Sequence, residues 1–132
     1  MKLITRDTDY AVRALCVMAI SGKEVISVQE LVKETKIPRA FLRRILQILN
    51  ARHIIQSYKG KGGGFRLHTP PNKISLIDLI EIFQGDVRII EHVFKRQKCP
   101  RMRGCNLKAK IDKIERELVF QLKKITIGSL IS

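Results

Sequence analysis

At 132 residues the chain is sized for one domain, or one domain with an appended helix. Its 26 Lys and Arg against 12 Asp and Glu leave a net charge of +14, a surface that seeks polyanions, with nucleic acid or an anionic membrane the usual candidates. A hydrophobic content of 45% excludes wholesale disorder, and no run approaches the roughly 18–20 apolar residues of a membrane span.

The opening MKLITRDTDYAVRAL puts acids and an Arg where a signal peptide needs an apolar centre, so the chain reads as cytoplasmic and unprocessed. In that compartment its three cysteines are expected as reduced thiols, suited to metal or redox chemistry rather than a structural disulfide. Trp is absent and aromatics are few, which leaves Leu, Ile and Val to build a core of packed helices.

Tyr10, Ala14, Val17 and Met18 recur near a 3.6-residue period and predict a helix over 8–21. After the break at Ser21-Gly22-Lys23, the string Ser27-Val-Gln-Glu30 reads as a capping box opening a short helix over 28–35. A tight turn at Thr35-Lys-Ile-Pro38 follows, and Pro38 pre-sets the start of the next helix, which runs to about Ala51. Phe41, Leu42, Ile45, Leu46 and Leu49 line one side of it; Arg39, Arg43 and Arg44 occupy much of the other. Residues 54–58 have strand character, Gly60-Lys-Gly-Gly-Gly64 is a flexible tip, and Phe65-Arg-Leu67 is the returning strand of a hairpin. Past the rigid Thr69-Pro-Pro-Asn-Lys73 linker, Ser75-Leu-Ile-Asp78 caps a helix that ends near Gly85.

Residues 86–105 show no clear period. A long helix then returns over 106–126, where Leu107, Ile111, Ile114, Leu118 and Ile125 form a narrow seam of the kind that pairs with another helix. That stripe could cover its own domain, but its narrowness favours homodimerisation. The expected organisation is a DNA-binding domain over 1–85, a cysteine-bearing loop over 86–105, and a dimerisation helix and tail over 106–132.

A helix, a capped short helix, a tight turn, an Arg-bearing helix and a glycine-tipped hairpin together predict a mainly α winged helix-turn-helix domain with a two-stranded β wing. In that arrangement the Arg-bearing helix enters the major groove and the wing reaches the flanking minor groove or phosphates. Nine Lys or Arg lie between Glu34 and Asp78, with no acid among them. A solvated face normally mixes signs, whereas a face against phosphate excludes carboxylates and gains from each counterion released. Arg39, Arg43 and Arg44 are the candidates for base edges or adjacent phosphates. Lys59, Lys61 and Arg66 are the wing's candidates for backbone or narrow minor groove, with Gly62 and Gly63 allowing close approach. A nucleotide-binding loop is excluded because no helix follows the glycines and no Gly-Lys-Ser/Thr pattern is present. Paired acid and base, nucleophile motif and cofactor fingerprint are all missing, so an enzyme is not expected. An RNA-binding module would bring exposed stacking aromatics, and Phe41 and Phe65 look structural.

Pro38-x-x-Phe-Leu-x-x-Ile-Leu-x-x-Leu49, followed by Ile55-x-Ser57-x-x-Gly60-x-Gly-Gly-Gly-Phe65, resembles the bacterial IscR/NsrR/CymR family of regulators. Met1-Lys-Leu, Asp9-Tyr-Ala-Val-Arg13 and Ile74-Ser-Leu-Ile-Asp-Leu-Ile closing on Gly85 are similar as well, so the likeness covers about residues 1–125. It implies a homodimer on a palindromic double-stranded DNA operator, paired through the long helix, with no membrane partner.

Cys99 and Cys105 form a C-x5-C pair just before the long helix. Two thiolates alone complete neither a tetrahedral zinc nor a cluster. Iron–sulfur members of the resembled family carry cluster cysteines in this loop, which implies a two-iron or four-iron cluster here. The chain departs from their pattern, with two cysteines where three at six-residue steps are usual. Some relatives add a carboxylate from the first helix of the partner subunit, and Asp9 stands at the matching position; a histidine ligand found four residues later in one relative is replaced by Arg13. His92, Glu91, Cys16 or an exogenous group are left as the remaining ligand, with Cys16 reading first as a core residue. Seven basic and no acidic residues from Lys95 to Lys110 lower thiol pKa values, favouring thiolates, or else extend the phosphate-contacting surface. The alternative is a cluster-free regulator of the same fold, holding zinc or no cofactor, and controlled by thiol oxidation, zinc or a partner protein.

Overall fold

The computed structural model describes residues 2–89 and 106–132. Cys99, Cys105, His92 and Glu91 lie outside the described residues, so the expectations placed on them are not addressed by the fold.

Helix α1 (Arg6–Ile20) is the central post of the molecule. It contacts α2 (Val28–Thr35), α3 (Arg39–Ala51), α4 (Leu76–Gln84) and α6 (Ile127–Ile131), because Ala11, Ala14, Leu15 and Met18 form a fully inward stripe. Two small residues in that stripe let neighbouring helices approach closely. Its first turn is tied down by Gln84, whose Oε1 accepts from the Thr5 amide at 3.0 Å and from the buried Thr8 hydroxyl at 2.5 Å; its Nε2 donates to the Leu3 carbonyl at 2.9 Å.

Helix α2 (Val28–Thr35) begins where the sequence places it, with Ser27 Oγ accepting from the Glu30 amide at 3.1 Å. The reciprocal half of the box is looser than expected. The Glu30 carboxylate is drawn to Lys23, which holds it below the usual carboxylate pKa, and also accepts from the Ser27 hydroxyl at 3.4 Å. The turn that follows is made by Lys36 in the left-handed region at φ +63°, closing on Val32, after which Ile37 plugs into the core.

Helix α3 (Arg39–Ala51) starts just after Pro38 and buries Leu42, Ile45, Leu46 and Leu49 against α1 and α2, a period that leaves Arg39, Arg43 and Arg44 outward. The hairpin pairs β1 (Ile55–Tyr58) with β2 (Gly64–Leu67) antiparallel, setting Gln56 opposite Arg66 and Tyr58 opposite Gly64. Ile26 adds an isolated third rung: it exchanges two backbone hydrogen bonds of 2.8 Å with Phe65.

A 3-10 turn over Pro71–Lys73 leads to α4 (Leu76–Gln84), capped by Ser75 accepting from the Asp78 amide at 3.2 Å and closed at Gly85, φ +83°. The long helix α5 (Asn106–Lys124) ends earlier than the 106–126 expected. The Ile125 carbonyl instead accepts the Leu76 amide at 2.8 Å, and Thr126 bridges Ser75. A short helix absent from the sequence reading, α6 (Ile127–Ile131), then packs on α1 through Ile127. A second, smaller cluster joins Ile77 and Ile80 of α4 to Leu118, Val119 and Leu122 of α5. Six helices and a two-stranded antiparallel sheet, described over these residues, make the mainly α winged helix-turn-helix that the motifs predict.

Candidate nucleic-acid interface

The second helix of the α2–turn–α3 unit presents its arginines unequally. Arg39 and Arg43, four residues apart and hence on one helical face, are exposed and make no ion pair among the described residues. Arg44 lies one step round, on the side of α1. Its Nη2 donates to both carboxylate oxygens of Asp7, at 2.9 and 3.0 Å, and its guanidinium lies 5.5 Å from the Phe41 ring centre. Arg6 covers the same ring at 4.4 Å, and Tyr10 meets it at a tilt with centroids 6.4 Å apart. Phe41 therefore works as a structural ring, gripped by α1, and fixes how α3 leans on that helix.

On the wing, Lys59 and Lys61 are exposed and free of acids among the described residues. Arg66 is restrained: it reaches Glu24 at 3.3 Å and stands 5.5 Å from the Tyr58 ring centre, half-buried along the β2 edge. Its Nε is buried with no hydrogen-bond partner.

The tip glycines differ in what they do. Gly62 has open space around it and a φ of +79°. Gly63 is packed inward, and a β-carbon there would stand 2.4 Å from the Tyr58 carbonyl oxygen. Internal packing thus supplies a reason for Gly63 that is independent of any ligand.

Asp9 sits on α1 with its carboxylate 2.9 Å from Arg13 Nη2, both side chains about half exposed. Cys16 is partly buried in the core contacts of α1, and burial pushes its thiol above the ordinary range. No group of three or more His, Cys, Asp or Glu among the described residues is arranged to hold a metal. No helix among them is long and apolar enough to cross a membrane.

Sequence reasoning did not find Asp7, Glu24 or Gln84. Each acts on partners 37 to 81 residues away, and no local pattern announces such a pairing.

The comparisons agree with this architecture. The Rrf2 family, described as iron-dependent transcriptional regulator, matches residues 4–132. An HTH-type transcriptional regulator assignment from Aquifex aeolicus is 31% identical over 125 residues, covering 93% of this chain and 87% of that protein. The HTH-type transcriptional regulator NsrR of Oceanobacillus iheyensis is 28% identical, covering 94% and 86%. Among solved structures, CymR, the global cysteine regulator of B. subtilis, superposes with a TM-score of 0.79 at 20% identity, covering 99% of this chain and 97% of that one. T. potens IscR gives 0.75 at 19%, covering 99% and 86%. At such identities the structural likeness speaks for the fold; the family match speaks for the lineage. The chain belongs to the Rrf2 family, and is a DNA-binding transcriptional regulator rather than an enzyme.

Proposed function

We propose that the chain acts as a homodimer on a palindromic double-stranded DNA operator, reading it through α3 and the wing. The observation that carries this reading is the pairing of two acid-free cationic features on adjacent elements: Arg39 and Arg43 on α3, and Lys59 and Lys61 beside Gly62 and Gly63 on the wing. A guanidinium offers two donors to guanine's major-groove edge, whereas an exposed lysine is suited to phosphate. Arg66 lines the wing at its base, and Arg44 serves in the α1 contact. Homodimerisation is supported by α5, where Leu107 and Ile114, seven residues apart, are 65% and 51% exposed. A second copy of the same helix is the natural cover for that seam. Gel-shift assays on palindromic duplexes test the DNA reading; tighter binding to structured RNA than to any such duplex would overturn it.

The proposal extends to control. Cys99 and Cys105 are assigned as thiolate ligands of an iron–sulfur cluster, with Asp9 as an added carboxylate, and the cluster's state sets operator affinity. Support comes from the iron dependence in the family's description and from a half-exposed Asp9 carboxylate on α1, whose only ion pair among the described residues, with Arg13, is at the surface and cheap to open. Such a cluster supplies one-electron redox chemistry and reactivity toward oxidants or nitric oxide. Anaerobically purified protein is expected to be brown, with visible absorption removed by Cys99→Ser or Cys105→Ser. A colourless, iron-free protein after reconstitution leaves DNA binding standing and favours the second reading. In that reading the pair of cysteines, one short of the three usual in the loop, is a thiol switch or zinc site.

A further inference from the structure

Of the three arginines that α3 turns outward, one is already occupied. Asp7 offers Arg44 two oxygens from one carbon at 2.9 and 3.0 Å, the same two-oxygen arrangement that a phosphate presents to a guanidinium. The contact is further fixed by the Phe41 ring, whose centre is 5.5 Å from the Arg44 guanidinium and 4.4 Å from that of Arg6. Arg44 is nevertheless at the surface, with half of its side chain exposed, within the acid-free cationic stretch that the DNA reading uses. Arg43, its immediate neighbour, has no such acid among the described residues.

We propose that Asp7 is a specificity-determining residue that occupies Arg44 as an internal phosphate substitute and so withholds one cation from sequence-independent DNA binding. Affinity for arbitrary DNA rises with the number of phosphates neutralised, while sequence is read at base edges. A carboxylate that takes one guanidinium out of that count lowers the non-specific background and leaves Arg39 and Arg43 untouched. Because Asp7 lies on the first turn of α1, the same contact also sets the lean of α3 on α1.

The test is a salt titration of binding to a random-sequence duplex, so that no operator need be known. Each phosphate contact contributes about −0.9 to the slope of log affinity against log salt. Asp7→Asn is expected to steepen the slope by about 0.9, so that its gain over wild type is roughly 3.5-fold larger at 50 mM than at 200 mM salt. Arg44→Gln alone is expected to leave the wild-type slope unchanged, and Asp7→Asn in the Arg44→Gln background to leave it unchanged again. The proposal is overturned if Asp7→Asn does not steepen the slope, or if Arg44→Gln by itself flattens it by about 0.9, which would place Arg44 on phosphate in the wild-type protein. Should Asp7→Asn fail to fold, as read from its melting curve, the Arg44→Gln slope still tests the proposal, which a flattening of about 0.9 overturns.

Discussion

Gly64 lies so close beneath Ile26 that a β-carbon on it would stand 2.2 Å from the Ile26 carbonyl oxygen. This contact lets the wing dock on the segment before α2, through the Ile26–Phe65 rung. Gly64→Ala is therefore expected to cost about 2–3 kcal/mol by forcing the backbones apart. Gly62→Ala, with open space but a left-handed φ, should cost less, about 1–2 kcal/mol. Urea denaturation of both variants checks the order; equal losses would refute the docking role.

Lys36 carries a side chain at φ +63° in the turn between α2 and α3. Glycine is at ease there, although it loses more freedom on folding. Lys36→Gly is expected to stabilise the domain by about 0.5–1 kcal/mol. Thermal melting would show it as a raised midpoint, and a lowered one would mean that the lysine stem makes a compensating contact.

Arg43 and Lys61 are both exposed and unpaired among the described residues, but sit on elements suited to different targets. Arg43→Ala should weaken operator binding more than non-specific binding, by about 1–3 kcal/mol of discrimination. Lys61→Ala should weaken both together and flatten the salt dependence. Identical profiles at matched salt would reject this division of labour.

Burial raises the pKa of Cys16, so its thiol stays protonated where an exposed thiol begins to ionise. Iodoacetamide at pH 8 should label it more slowly in the native protein than after unfolding in urea, as followed by peptide mass spectrometry. The sign for stability follows. As pH rises past the ordinary thiol range, the unfolded chain loses this proton before the folded one, so the thiol's contribution to stability declines. Cys16→Ala should remove that alkaline component, and an unchanged stability difference between pH 8 and pH 10 would argue against it.

On α5, Ile114 is 51% exposed at the centre of the seam. Ile114→Glu should convert a dimer into monomers in sedimentation velocity and weaken operator binding, with the helical signal of the fold retained. A dimer unaffected by the change would move the interface elsewhere.

Much of the fold was legible because its signals are local. Ser27 and Ser75 cap helices since a hydroxyl reaches an amide three residues on, and the α3 period exposes arginines because leucines and isoleucines on the other side have a core to enter. The hairpin followed from four glycines between two apolar runs. Less legible was the chain after Lys124. Ile125 fits the heptad spacing but leaves the helix, because its carbonyl meets the Leu76 amide and Ile127 finds space beside α1. A five-residue helix has too few internal hydrogen bonds to declare itself without that tertiary contact.

The sequence by itself determined that this protein is a winged helix-turn-helix with one strongly cationic stretch over α3 and the wing, because helical period, capping and charge exclusion all act over a few residues. Only the tertiary structure decided how that stretch is divided. Arg39, Arg43, Lys59 and Lys61 are left to solvent, while Arg44 is bound to Asp7 and Arg66 to Glu24. Those pairings join residues 37 and 42 positions apart, and a guanidinium's partner depends on where folding brings a carboxylate, which no local pattern encodes.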